Sequence, residues 1–62
     1  MRLDRVKVIT ELAKRDLKKK DLAERSGFAR VTVSRICNGS SCNPSTAKAI
    51  ADAFGVTVES LL

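Results

Sequence analysis

The 62-residue sequence has no histidine, tryptophan or tyrosine, only two cysteines and a single proline. Each absence removes a class of function. Without histidine the chain lacks the side chain that titrates near neutral pH and most often ligates metals. Cys37 and Cys42 cannot hold zinc alone, because a structural site takes about four ligands, so no metal is expected. Nor do two cysteines make the framework of a small disulfide-rich secreted domain. A single Cys37–Cys42 bridge or redox switch is the lesser alternative, disfavoured in a reducing cytosol. There is no glycine-rich phosphate loop and no cluster of carboxylates. Lys48, Asp52 and Glu59 are scattered at helical spacing and read as surface charges. An enzyme is therefore not expected, and neither is a cofactor.

No apolar run approaches membrane-spanning length and no signal-peptide pattern is present, so the expected location is cytoplasmic, with no membrane partner. No repeat, linker or low-complexity segment interrupts the chain. Residues 1–62 read as one domain with a small core built by helix packing. The core candidates are Val8, Ile9, Leu12, Leu17, Leu22, Ala23, Phe28, Val33, Ile36, Ala47, Ile50, Ala51, Phe54, Val56, Val58 and Leu61.

What the chain does have is positive charge, unevenly placed. Residues 1–39 carry eleven Lys and Arg against five Asp and Glu, a net of +6; residues 40–62 carry one Lys against two acids. A basic half beside a nearly neutral one fits docking on a polyanionic backbone. A basic membrane-surface helix shares the charge but needs a large exposed apolar face, and the apolar stripes here are better used in the core.

The segment Lys19–Asn38 carries the most information. Its first helix runs from about Lys19 to Arg25, with Asp21 and Glu24 near the positive end of the helix dipole and Leu22 and Ala23 inward. Gly27 stands where helices commonly end in a left-handed residue, and Phe28 anchors the chain after the turn. A second helix follows from Ala29 or Arg30 to Cys37 and stops at Asn38-Gly39. At 100° per residue, Ala29, Val33, Ile36 and Cys37 share one side; Arg30, Val31, Ser34, Arg35 and Asn38 share the other. That outer face offers forked cationic donors and short polar groups, which suit base edges and phosphates. An ordinary solvated helix surface is the competing reading of that face taken alone.

The flanks are also helical. Residues 3–15 form a first helix with Val8, Ile9 and Leu12 inward and Arg5, Lys7, Lys14 and Arg15 outward; Leu17 closes the corner. After a polar loop, Pro44 suits the first position of another helix with Asn43 as its cap. That helix ends at Phe54-Gly55, and Thr57 caps a short fifth helix ending at Leu61-Leu62. Lys18-Lys19-Lys20 is an unfavourable helix start: it lacks a capping side chain, at a cost of ~1 kcal/mol, and sets cations beside the dipole's positive end. Backbone clamping of DNA explains the run; a lysine-rich turn with Asp16 as the real cap is the alternative.

The pattern Lys19-x-x-Leu22-Ala23-x-x-x-Gly27-x-x-x-x-x-Val33-x-x-Ile36-x-Asn38-Gly39 resembles the helix-turn-helix of the lambda-repressor-like (XRE or Cro) family. Downstream, Asn43-Pro44-Ser45, Ile50-Ala51-x-Ala53-Phe54-Gly55-Val56-x-Val58 and Leu61-Leu62 are similar to that family's ending, so the resemblance spans roughly residues 8–62. It implies a compact all-α, five-helix domain with the helix-turn-helix at helices 2 and 3 (unit 19–38). It also implies a double-stranded DNA operator as partner and action as a Cro-like repressor of phage or mobile-element type. The second helix of the unit, about 29–37, would enter the major groove.

By the same resemblance the base readers are Lys19, Ala29, Arg30, Val31 and Arg35. Arg30 is the leading candidate for guanine, since Arg to guanine O6/N7 is the commonest direct readout, and Val31 suits a thymine methyl. Arg35 fits a base or a phosphate equally. Phosphate candidates are Lys18, Lys20, Thr32, Ser34, Asn38, Ser40, Ser41 and Asn43, with Thr46 beside them; simple turn chemistry accounts equally well for any one loop residue. The family usually has Thr or Ser where Lys18 stands. Many relatives pair an Arg at the Leu12 position with a Glu at the Cys37 position, which here becomes apolar packing. At this length no sensor domain and no small-molecule ligand are expected. A homodimer with half-sites ~34 Å apart is, with Phe54, Val56 and Val58 as contact candidates, each of which also suits the core. The competing function is a protein-interaction module of the same fold, an antitoxin or anti-repressor. The arginines and the lysine run count against it.

Overall fold

The computed structural model describes every residue from Met1 to Leu62. Four α-helices follow in chain order: α1 (Arg5–Lys14), α2 (Lys19–Ser26), α3 (Arg30–Cys37) and α4 (Pro44–Phe54). There is no strand, as the helical periodicity implied. The expected fifth helix is a single 3-10 turn, Glu59–Leu61. After Gly55 the chain must return Leu61 to the core, where it is fully buried, and one tight turn does this. Thr57 contributes its carbonyl to that turn, accepting from the Ser60 N–H and hydroxyl; Val58 holds the cap position without a side-chain bond.

α1 starts later than residue 3. The Asp4 carboxylate accepts the Lys7 N–H at 3.0 Å and caps the helix. Leu3, ahead of the helix, is nonetheless 2% exposed. Ile9, read as core, is 44% exposed. Val8 and Leu12, four residues apart, set the inward direction of α1. Ile9 is rotated off that line, and Leu3 and Leu61 join Val8 and Leu12 in the core.

α1 closes with Asp16 in the left-handed region at φ 53°. The Asp16 N–H donates to Ala13 and the Leu17 N–H to Leu12 at 2.9 Å, the paired bonds of a helix C-terminal motif usually built on glycine. Asp tolerates this conformation better than most residues. Asp16 therefore ends α1 and does not cap α2.

The core joins all four helices. Val8, Leu22, Val33, Ile50 and Leu61 are sealed from solvent, each contributing about 1.5–3 kcal/mol by burial. Leu17, Phe28, Val56 and Val58 pack against this core while partly exposed. Leu12 and Cys37 both belong to it, so the two positions that the resemblance pairs as ions are apolar and buried here. No helix is long and apolar enough to cross a membrane.

Candidate nucleic-acid interface

α2 and α3 pack together through Leu22 and Ala23 on one side and Val33, Ile36 and Cys37 on the other. The small Ala23 is buried on the inward side of α2. Between them Gly27 takes φ 80° and donates its N–H to Ala23 at 2.9 Å. A Cβ at Gly27 would meet nothing within 4 Å, so glycine is required for its backbone angle and not for space. Phe28 then turns back onto the core and launches α3 with Ala29 at its cap position.

Burying that side of α3 fixes what its other side offers. Arg30, Val31, Arg35 and Asn38 are exposed, while Thr32 and Ser34 are half-buried. Val31 is 59% exposed, an apolar side chain among cations and hydroxyls. Ala29 lies at the exposed beginning of the same face. Lys18, Lys19 and Lys20 are exposed at the start of α2. Burial pushes the Cys37 thiol up from its ordinary 9.0, and the Lys19 ammonium opposes that rise. None of Lys18, Lys19, Lys20, Arg30 and Arg35 pairs with a carboxylate; the ion pairs of the molecule lie at the end of α1 and within α4.

α2 starts without a side-chain cap of its own, as its sequence implies. The Lys18 N–H instead donates to the Asp21 carboxylate at 2.9 Å. This is half of a capping box. The other half is chemically impossible, since an ammonium has no lone pair to accept the Asp21 N–H.

Beside α3 the chain forms an open concavity of about 280 Å³, lined by Thr32, Arg35, Ile36, Ser40, Ser41, Cys42, Asn43 and Thr46. Five polar residues proposed from the sequence thus share one hollow with Thr46. Ser34 and Asn38 lie outside it; the Asn38 N–H closes α3 by donating to the Ser34 and Arg35 carbonyls. Asn43 occupies the cap position of α4, yet its side chain makes no capping bond. It is left free to face a ligand. With Pro44 following, the unpaired amides of the first α4 turn begin at Ser45.

One feature of this region escaped the sequence. Cys42 donates its N–H to the Met1 carbonyl at 2.7 Å, bringing the N-terminal segment to the loop; no periodicity links residues forty apart. Phe54, Val56 and Val58, read both as core and as candidates for contact between copies, lie against the core: Phe54 is 5% exposed and the two valines are half-buried. The cysteines are both free, Cys37 buried and Cys42 half-buried.

The arrangement is a basic, hydrogen-bonding convex helix flanked by a lysine cluster and a polar hollow. A family model described as helix-turn-helix matches residues 9–61. Comparisons with curated proteins and with solved structures give no match.

Proposed function

The chain belongs to the helix-turn-helix family of the lambda repressor/Cro-like type, a family of DNA-binding regulators, and from that premise we propose a specific role. Residues 1–62 act as one sequence-specific double-stranded DNA-binding domain that inserts α3 into the major groove, as a Cro-like repressor working by occupancy of its operator. Arg30, Val31 and Arg35 read bases, with Ala29 at the helix start and Lys19 beside them. Lys18, Lys20, Thr32, Ser34, Asn38, Ser40, Ser41 and Asn43 hold the phosphates, and two copies bind as a homodimer.

The observation that carries this reading is the set of unpaired cations around an exposed helix. Free guanidinium and ammonium groups clustered on one surface cost no ion pair to redirect toward DNA. Phosphate contacts position a protein and base contacts specify sequence, and this surface offers residues suited to each. The lysines stand at the start of α2, and Arg30 and Val31 at the start of α3.

The test is a gel-shift titration on random duplex at several salt concentrations, followed by selection of bound sites from a random library. Affinity should fall steeply with salt, and selection should converge. At the selected site Arg30→Ala should lose ~1–3 kcal/mol and relax one base position, whereas Lys18→Ala should weaken all sequences alike. Binding indifferent to salt, or a library that never converges, would overturn the proposal.

A further inference from the structure

Ile36 to Ala47 contains no lysine or arginine, although this stretch supplies most of the hollow beside α3. Arg35 is the only cation lining that hollow. Hydroxyls and amides orient a phosphate, but the electrostatic part of DNA affinity comes from cations that displace condensed counterions. The hollow is thus poor in the very groups that would hold a backbone anion.

The N-terminal segment supplies one. The Met1 carbonyl that accepts the Cys42 N–H at 2.7 Å belongs to the same peptide unit as the Arg2 nitrogen, so the Arg2 backbone stands against the loop. The other end of the segment is fixed as well: the Asp4 N–H donates to the Leu61 carbonyl at 2.6 Å. Between these ties Leu3 is buried in the core. Arg2 is exposed and forms no salt bridge.

We propose that Arg2, tied to the Ser40–Asn43 loop by the Met1–Cys42 hydrogen bond, is a DNA phosphate-binding residue that completes the hollow beside α3. This rests on the DNA-binding reading of α3. The strap of residues 1–4 brings the cation that the loop lacks to a fixed place, anchored by Leu3 and two backbone bonds. Arg2 gives affinity without sequence preference, because it meets phosphate and not base edges.

The experiment measures binding of a fluorescein-labelled random-sequence 20-base-pair duplex to the full chain by anisotropy, between 50 and 200 mM salt. Wild type is compared with Arg2→Gln, Arg2→Lys and Lys48→Gln. Removing one phosphate contact should make the slope of log K against log salt shallower by about 0.9. That is expected for Arg2→Gln, with Arg2→Lys retaining the wild-type slope and Lys48→Gln, whose lysine faces Asp52 on α4, changing it little. Thermal midpoints should match closely in all four, since Arg2 is exposed and forms no salt bridge. An Arg2→Gln slope no shallower than that of Lys48→Gln would overturn the assignment while leaving α3 in place. A wild-type chain without salt-dependent binding would instead defeat the DNA reading itself.

Discussion

At Glu11 a single carboxylate serves two cations of its own helix, Lys14 at 3.1 Å and Arg15 at 3.0 Å. Arg15 extends the link further. Its second nitrogen donates to the Phe54 carbonyl at 2.7 Å, and its guanidinium lies 5.3 Å from the Phe54 ring centroid. The guanidinium thereby satisfies an orphan carbonyl at the end of α4, where a cation also suits the dipole. Sequence periodicity placed Arg15 among outward surface charges, since helical spacing reveals a face but not a distant carbonyl. The hydrogen bond from Lys14, with that from Arg15 behind it, holds the Glu11 carboxyl below its ordinary 4.5 against the opposing effect of desolvation. A depressed folded-state pKa stabilises the fold above the unfolded value and stops doing so as pH falls through the folded one. Thermal midpoints taken from pH 7 to pH 3 should therefore drop below about pH 4.5, and Glu11→Gln should show a smaller acid-induced drop. If the two chains lose stability in parallel, Glu11 is not a source of acid sensitivity.

The start of α2 shows local stability and charge in conflict. Lys18 holds the cap position without an acceptor, three lysines crowd the positive end of the dipole, and Asp21 alone repairs one open N–H. Lys18→Thr should reverse both sides of that conflict. A capping hydroxyl should stabilise the fold by about 1 kcal/mol, while loss of a phosphate contact should flatten the salt dependence of DNA binding by about 0.9 in slope. Paired melting and anisotropy titrations would show the two changes in opposite directions; a variant that gains stability with undiminished binding would show that Lys18 does not clamp DNA. This element was legible in the sequence because its determinants are local: a glycine after the helix, an inward pair of Leu22 and Ala23, a missing cap. The outer face of α3 was legible for the same reason, through a clean helical period. Leu3, Ile9 and Asp16 were not. Which of Val8 and Ile9 points inward depends on the roll of α1 against α3 and on Leu61 arriving from the far end of the chain. The left-handed turn at Asp16 lacks the glycine that would announce it.

The whole molecule measures 25 × 21 × 18 Å along its principal axes, and that size constrains any dimer on DNA. Half-sites one helical turn apart place recognition helices ~34 Å from each other, so a contact at the two-fold axis lies about 17 Å from the centre of each α3. A body with a longest extent of 25 Å reaches that axis only with a corner, and the surface shared there is small. Phe54 cannot supply it without leaving the core, so Phe54→Ala should lower stability by about 3–5 kcal/mol without reporting on association. Val56 and Val58, half-buried after the end of α4, are the better probes of the proposed homodimer. A contact this small should hold two copies together on DNA and leave them monomeric when free, since stable interfaces bury about 800 Å² per partner. Sedimentation of the free chain should accordingly give the monomer mass, while titration of a palindromic selected site should be cooperative. Inserting about five base pairs between the half-sites turns the second copy to the opposite face of a duplex repeating every 10–10.5 base pairs, and cooperativity should vanish while each half-site retains its own affinity. Cooperativity that survives the insertion would mean that the copies communicate through the DNA and not through contact after α4.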